Sequence, residues 1–562
     1  MQFKDFKYQR VNIEKIKQKV LPMIELFLSS SLEEQITIIN QNNQIMDQIN
    51  SMFTLVSIRN SLNVKDKFYQ EEKAFCDQNA PLIKELQYQF LNKMMKSQHY
   101  DQLVSYFGLF LFKQNHLVLK TFNSQIIPLL QEENVLVTEY ENLISQPGVI
   151  FCKKIYNLSQ MGPFLESKQR TIRKEAQLAI SNFFAQNETN YDRIYDKLVA
   201  KRTKIAHLLG YDNFVQLGYD LLGRTDYSFQ QIKTYRKNIL KHVLPFYKMM
   251  QQKKSHRLKI AKLESYDKNF HFLTGNPKPQ GDTKTKILHA QQMYYQMSPH
   301  TKIFFDFLLE KKLLDLESKP NKTGGGYCTY LPSFQTPFIF ANFNGTSHDI
   351  DVLTHEFGHA FQVYQSRHFI PEYRFPTLEA AEINSMGMEF LAWPWVKFFF
   401  GSNEEKYKFL HLSEGLKFLL YGALVDHFQE KIYQNPQISS QERKKIWRHL
   451  EKKYLLIENY TNDPFLEKGN FWLRQSHIFV NPFYYIDYTL AQVCAFEIWS
   501  LSQKDYQNAW QIYFKLCQMG GSQSFLTLLA KTGLQSPLDE DHLKNIVSIV
   551  SNYLQKIDDT KY

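Results

Sequence analysis

Residues 347–365 read SHDIDVLTHEFGHAFQVYQ, and the five residues from His355 to His359 spell the pattern HExxH. On a helix, residues four apart lie on one face, so the imidazoles of His355 and His359 could bind one metal ion together. Glu356 stands between them, placed to take a proton from a metal-bound water. The stretch therefore predicts a zinc hydrolase helix with His355 and His359 as metal ligands and Glu356 as general base.

A solvated helix that carries two histidines by chance is the competing interpretation of this stretch. Its apolar residues recur at helical spacing and form one stripe, which consists of Ile350, Leu353, Phe357, Ala360, Phe361 and Tyr364. The two histidines project from the opposite face, so one side packs into a core and the other faces a polar space. Gly358 costs about 1 kcal/mol in a helix relative to alanine, which indicates close approach of another element.

A zinc site of this class needs a third protein ligand, and the segment after Pro376 offers one. The sequence TLEAAEINSMGME predicts a new helix on which Glu379, Glu382 and Glu389 share a face. An exposed acidic face is the alternative, but three carboxylates on one face are costly to bury without a cation. We predict Glu382 as the ligand and expect Glu379 and Glu389 to orient an imidazole by hydrogen bonding.

The chain just before the HExxH helix is rich in glycine and β-prone residues. Three glycines at 324–326 are followed by YCTY, and residues 337–343 read PFIFANF. The glycines lack the Lys-Ser/Thr of a phosphate loop, so they indicate close backbone approach. Pro337 suits an edge strand, which could bind an extended peptide by strand addition. An ordinary core strand is the alternative interpretation.

The two predicted helices resemble a known family. THEFGHAFQVYQSR at 354–367, followed by PTLEAAEINSMGMEF at 376–390, resembles the oligoendopeptidase F family of zinc metallopeptidases, relatives of thimet oligopeptidase. Residues 275–279, 324–330 and 337–346 are also similar, and the resemblance runs from about residue 205 to 499. It implies one zinc ion, a third ligand in an E-x-x-S stretch that falls on Glu382, and hydrolysis of short unstructured peptides.

A second group of candidate residues lies in the segment QSHIFVNPFYYIDY at 475–488. Tyr485 and Tyr488 are three apart and share a helix face. This chain has 33 tyrosines, and most tyrosines in proteins simply pack their rings and hydrate their hydroxyls. The resemblance implies that such a His and Tyr segment closes over the substrate and stabilises the oxyanion. On that basis His477, Tyr485 and Tyr488 are catalytic candidates, and the choice between Tyr484 and Tyr485 stays open.

The proline and glycine distribution predicts a mainly α fold. Polar, amphipathic runs fill the first 250 residues, proline and glycine concentrate between residues 275 and 345, and the chain is helical again from 407 to 433. We expect an N-terminal helical lobe at 1–170 and a catalytic metallopeptidase domain at 171–562, with a small β-sheet beside the HExxH helix. The resemblance implies two lobes with a deep central channel.

Composition limits the compartment and the partners. The N-terminus has no apolar signal region, no apolar run is long enough to span a membrane, and five scattered cysteines do not form a disulfide pattern. The basic residues that give the net charge of +11 are interspersed with acidic residues, and no nucleic-acid-binding motif accompanies them. The sequence therefore predicts a cytoplasmic protein that binds short peptides, with no nucleic-acid or membrane partner; it leaves the oligomeric state open.

Two other functions compete with that of an endopeptidase. A zinc aminopeptidase could use the same helix, but it needs an acidic site for the substrate amine, and no Gly-x-Met-x-Asn type stretch supplies one. A catalytically inactive peptide-binding protein is disfavoured because every group that the chemistry needs is present. The predicted mechanism has Glu356 take a proton from the attacking water and deliver it to the leaving amine.

Overall fold

A computed structural model describes residues 1–146, 148–455 and 460–562 of the chain. The first part is a set of helices, several of which begin with side-chain caps; Ser31 and Glu34, for example, cap each other's backbone at the start of the second helix. These helices are α1 (Ile13–Leu26), α2 (Leu32–Leu62), α3 (Lys67–Met94), α4 (Tyr100–Phe107), α5 (Leu109–Lys120) and α6 (Ile127–Ser145).

A two-stranded hairpin and a second group of helices follow. The hairpin pairs β1 (Val149–Phe151) with β2 (Lys154–Tyr156) in antiparallel fashion. Ser298 caps the last helix of this group and Pro299 occupies its first turn. The helices are α7 (Gly162–Leu165), α8 (Arg170–Ala185), α9 (Glu188–Leu208), α10 (Phe214–Leu221), α11 (Phe229–His242), α12 (Leu244–Leu258), α13 (Thr283–Met297) and α14 (Pro299–Lys311).

A three-stranded sheet precedes the HExxH helix. It consists of β3 (Leu314–Glu317), β4 (Tyr327–Leu331) and β5 (Thr336–Phe343), in the order β3-β5-β4. The strand β5 is parallel to β3 and antiparallel to β4. The prediction of an edge strand at 337–343 is therefore wrong: β5 is central, and β4 is an edge. Pro337 is tolerated because β3 pairs with β5 only from Ile339 onward, so no β3 residue opposes the proline.

The C-terminal half is again helical, as the sequence predicts for residues 407–433. The segment around Pro394 interrupts the helical run after Leu391, as expected of proline. The helices are α15 (His348–Ser366), α16 (Pro371–Arg374), α17 (Leu378–Leu391), α18 (Lys397–Phe400), α19 (Glu404–Gln434), α20 (Ser440–Leu455), α21 (Pro464–Glu467), α22 (Ser476–Val480), α23 (Tyr485–Lys504), α24 (Tyr506–Met519), α25 (Phe525–Thr532) and α26 (Glu540–Lys556).

One large apolar core joins most of the chain. It includes Phe6 and Leu55 near the N-terminus, the buried stripe of α15 and residues of α26. A smaller core lies among α1–α5 and is completed by Tyr373 of α16, whose hydroxyl bonds the backbone of Phe107 and Leu111. The mainly α fold is confirmed. No helix in the three described ranges has the length and apolar character that a membrane crossing requires.

Candidate active site

The helices α15 and α17 approach each other closely at Gly358. A Cβ atom at this position would lie 2.4 Å from the carbonyl oxygen of Asn384 and 2.7 Å from Cα of Ser385. Any larger side chain would therefore push against the backbone of α17. The glycine inside the HExxH helix is there because the two helices touch, and that contact brings their polar faces together.

At this contact the two histidines of α15 meet Glu382 of α17. The Nε2 atoms of His355 and His359 lie 3.2 Å and 3.3 Å from Oε2 of Glu382. Ligand atoms from all three residues lie within 4.8 Å of one another. Two helices thus bring together the three ligands that the sequence predicts, although His359 and Glu382 are 23 residues apart in the sequence.

The donor set fits a zinc ion. Two imidazole nitrogens and one carboxylate oxygen are the ligands of many catalytic zinc sites, which keep a fourth position open. Glu382 is almost fully buried, and in the described parts of the chain no lysine or arginine pairs with it. Burial by itself would raise the pKa of Glu382, but His359 and His355 hold this pKa well below its usual range. A buried carboxylate beside two imidazoles suits a divalent cation.

Glu389 fixes the orientation of His355. Its Oε1 lies 2.7 Å from Nδ1 of His355, and its Oε2 lies 2.7 Å from Nε2 of His411 on α19. Trp393 donates to Nδ1 of His411 at 3.0 Å, so His411 donates from Nε2 to the carboxylate. Burial would raise the pKa of Glu389, but the two imidazoles lower it to about 2. With Nδ1 of His355 engaged, Nε2 remains free to face a metal.

Glu379 has a different environment from the one that we expected. It is buried, and neither of its oxygens has a hydrogen-bond partner among the described residues, the two imidazoles included. Burial raises its pKa, and Arg224 opposes that rise. Glu379 therefore belongs to a buried charged group around Arg224, whereas Glu389 orients His355.

Glu356 lies close to Gly326, the residue that precedes β4. A Cβ atom at Gly326 would lie 3.2 Å from Oε1 of Glu356 and 2.9 Å from Cγ1 of Val352. Burial raises the pKa of Glu356, although His355 and His359 act to lower it. The last of the three glycines at 324–326 thus permits close approach to the predicted base, which the sequence indicated only in general terms.

The predicted oxyanion donors cluster at the start of α23. Gln475 donates to Nδ1 of His477 at 2.9 Å, so His477 carries its proton on Nε2, which lies 3.3 Å from the hydroxyl of Tyr488. Burial lowers the pKa of His477 to about 4, which keeps the ring neutral at pH 7. The hydroxyl of Tyr484 donates to Oε1 of Glu382. Tyr484 and Tyr488 thus connect this cluster to the ligand set.

Tyr485 lies in a different position. Its ring packs edge-on against Phe418, Tyr421 and His477, and its hydroxyl bonds no other described residue. Its catalytic role stays a prediction. Sequence reasoning missed His411, because nothing along the chain indicates that a histidine of α19 pairs with Glu389.

The site opens into a cavity of about 1080 Å³. His355, Glu356, Glu389 and Tyr488 line it together with residues of α12, of the segment 262–269 and of the segment 471–475. A cavity of this size accommodates several residues of a peptide. An HExxH helix, a glutamate of the next long helix beside its two histidines and an adjoining peptide-sized cavity define a metallopeptidase.

Comparisons with known proteins identify the family. Residues 3–122 match the profile of the peptidase M3 N-terminal domain, and residues 282–548 match that of peptidase family M3. The solved structure of PZ peptidase A with an inhibitor is 43% identical, covers 100% of both chains and superposes with a TM-score of 0.99. The chain belongs to peptidase family M3.

Curated relatives place the chain in the oligoendopeptidase F group. An oligoendopeptidase F homologue of Borreliella burgdorferi is 24% identical over 413 residues, which are 70% of this chain and 66% of that relative. A homologue of the same name from Mycoplasma genitalium is 23% identical over 77% of this chain and 75% of its own length. The resemblance to the oligoendopeptidase F family is confirmed, and the protein is a metallopeptidase of the oligopeptidase type.

Proposed function

We propose that this metallopeptidase hydrolyses internal peptide bonds of short, unstructured peptides and uses one zinc ion. His355, His359 and Glu382 would hold the zinc, which supplies Lewis acidity to polarise the scissile carbonyl. The observation that carries the proposal is the convergence of these three side chains beside the buried Glu356, where His355 and Glu356 line the same cavity as Tyr488. Glu389 and His411 would keep His355 in the tautomer that binds a metal through Nε2.

Glu356 is the proposed general base. It accepts the proton of the attacking water and then delivers that proton to the leaving amine. Its side chain is buried, and Oε1 lies so close to Gly326 that a Cβ atom there would be only 3.2 Å away, which restricts the carboxylate on that side. This restriction supports catalysis, since a general base acts only within hydrogen-bonding distance of the proton that it removes.

Tyr488 and His477 are the proposed oxyanion donors. The neutral His477 donates from Nε2 to the hydroxyl of Tyr488, which leaves the phenolic hydrogen free to point at a developing negative charge. Tyr484 holds Glu382 and serves as a further candidate donor. The assignment of Tyr485 rests on the family resemblance alone.

The substrate class, the domain boundary and the compartment are parts of the same proposal. The cavity supports peptides over folded proteins because a folded domain cannot enter a space of about 1080 Å³. We assign residues 1–170 to an N-terminal helical lobe and residues 171–562 to the catalytic metallopeptidase domain. Five cysteines, all of them free, support a reducing cytoplasmic location.

The decisive variant is Glu356→Gln, because it removes the proposed base and keeps the shape of the side chain. We expect hydrolysis of an N-acetylated, internally quenched peptide to fall by about 10²-fold or more in kcat. Glu310→Gln on the exposed surface of α14 is the matched control and should leave kcat unchanged.

The N-acetyl group of this peptide also tests the competing function. Cleavage of the blocked peptide excludes an aminopeptidase, which needs a free amine. Retention of full activity by Glu356→Gln would refute the assignment of the base.

A further inference from the structure

The wall of the cavity formed by the segments 262–269 and 471–475 carries two cationic side chains that form no ion pair with a described residue. Lys268 and Arg474 both line the cavity. In the described ranges, neither side chain forms an ion pair or a hydrogen bond with another side chain. Their cationic groups lie 4.2 Å and 4.3 Å from the centre of the same ring, that of Phe471. We call Lys268, Arg474 and Phe471 the cationic wall.

Acidic residues near the cationic wall are already engaged elsewhere. Glu414 accepts from Lys417 at 2.6 Å. Glu451 accepts from the hydroxyl of Tyr460 and lies 3.3 Å from Arg448. Burial raises the pKa of Glu451 to about 7, so this carboxyl is only partly ionised at neutral pH. Asp463 and Glu451 favour the charged form of Arg474 from a distance, but no described carboxylate forms an ion pair with Arg474 or Lys268.

The two cations also repel each other and their basic neighbours. Burial, together with the charges of Arg474 and Lys417, lowers the pKa of Lys268 to about 7, so a bound anion would favour the charged form of this lysine. Burial likewise lowers the pKa of Arg474. Placing like charges together in a partly desolvated cavity is unfavourable unless an anion joins them. Cation–π contacts with Phe471 offset only part of this cost, about 0.5–2 kcal/mol each.

The cationic wall is connected to the proposed catalytic cluster through its own segment. Tyr421, whose ring packs edge-on against Phe471, donates to Oε1 of Gln475 at 2.9 Å. Gln475 in turn holds His477. An anion at Arg474 would therefore sit three residues from His477, in the cavity that also exposes Tyr488.

We propose that the cationic wall binds a carboxylate of the substrate peptide and thereby anchors the peptide in the cavity. The inference rests on the proposed peptidase function and deepens it by assigning a specificity determinant. The carboxylate is either the C-terminus of the peptide or an acidic side chain, since both present the same group. Arg474 binds it through its planar guanidinium and Lys268 through its ammonium group.

The test compares three N-acetylated, internally quenched peptides. Two have the same sequence and end in a free acid or an amide, and the third is an amide that carries one added glutamate near its C-terminus. We expect the free acid to be cleaved about 10- to 100-fold faster in kcat/KM than the amide. If the added glutamate restores cleavage of the amide, a side-chain carboxylate also serves as the anchor.

The variants Arg474→Gln and Lys268→Gln should remove most of this preference by bringing kcat/KM for the free acid close to the value for the amide. Arg474→Lys keeps the charge and should retain part of the preference, which separates loss of charge from misfolding. Lys262→Gln is the matched control, because Lys262 also lines the cavity but its side chain is 66% exposed and lies 3.6 Å from Glu264. It should leave the preference intact.

A second readout needs no hydrolysis. Fluorescence anisotropy measures the binding of labelled acid and amide peptides to the Glu356→Gln protein. Tighter binding of the acid that disappears in the additional Arg474→Gln variant supports the anchor, whatever becomes of the proposed reaction. Equal binding and equal cleavage of acid and amide would overturn it. Absence of cleavage together with acid-selective binding would instead contradict the peptidase function alone.

Discussion

The contact between α15 and α17 at Gly358 yields a quantitative prediction for Gly358→Ala. The new Cβ would meet the carbonyl oxygen of Asn384 at 2.4 Å, so one helix must move by roughly 0.6 Å to restore even a 3.0 Å contact. Both contacting atoms belong to the backbone, so no side chain can rotate away. The required shift exceeds the tolerance of about 0.2 Å on metal–ligand distances.

Two opposing terms decide the effect on stability. Replacing a helical glycine by alanine favours the helix by about 1 kcal/mol, whereas overpacking a rigid contact costs about 1–3 kcal/mol. We therefore expect the free energy of unfolding to fall by up to about 2 kcal/mol, and zinc affinity to fall by about 10- to 100-fold because Glu382 moves relative to the histidines.

The assay measures the melting temperature of the metal-free protein and the zinc affinity by competition with a chromogenic chelator. Gly387→Ala is the matched control on α17, because the three atoms nearest to its Cβ would all be side-chain atoms, from Ile498 and Tyr513, at 3.2–3.3 Å. It should weaken zinc binding far less. A Gly358→Ala protein with a higher melting temperature and unchanged zinc affinity would refute the close contact of the two helices.

Two further variants test the residues around the metal. Gly326→Ala should lower kcat by on the order of 10-fold with zinc content unchanged, because the new methyl group presses on Glu356. Gly324→Ala is its control, because a Cβ at Gly324 meets no atom within 4 Å. Equal kcat values for the two variants would contradict the close approach of Gly326 to Glu356. Tyr488→Phe should lower kcat by about 10²- to 10³-fold with little change in KM. Tyr485→Phe should lower kcat less, because the Tyr485 hydroxyl bonds no described residue. A larger loss of kcat in Tyr485→Phe than in Tyr488→Phe would make Tyr485 the oxyanion donor.

Local periodicity predicted the elements that carry the site. The apolar stripe of residues 350–364 and the break after Pro376 are properties of short segments, so the helices bearing His355, His359 and Glu382 follow from the sequence. The order of the strands could not be predicted in this way. Pro337 favoured an edge strand. In the structure, β3 pairs with β5 only from Ile339 onward, so the proline can occupy the central strand.

Partners that meet only in the folded chain were beyond the reach of the sequence. His411 is 22 residues from Glu389, and Lys268 is far from Arg474 along the chain, so no spacing rule connects them. Three glutamates of α17 shared one predicted face, yet Glu382 faces the histidines, Glu389 bonds His355, and Glu379 lies beside Arg224. Neighbouring helices, which the sequence does not position, assign these different environments.

The most direct test of the central claim is the location of zinc in crystals of the metal-loaded protein, by anomalous diffraction at the zinc absorption edge. We predict one strong peak within about 2.0–2.2 Å of Nε2 of His355, Nε2 of His359 and a carboxylate oxygen of Glu382. Loss of the peak in His359→Ala crystals would confirm the ligand set. A peak at other residues, or none in a protein that still cleaves peptides, would contradict it.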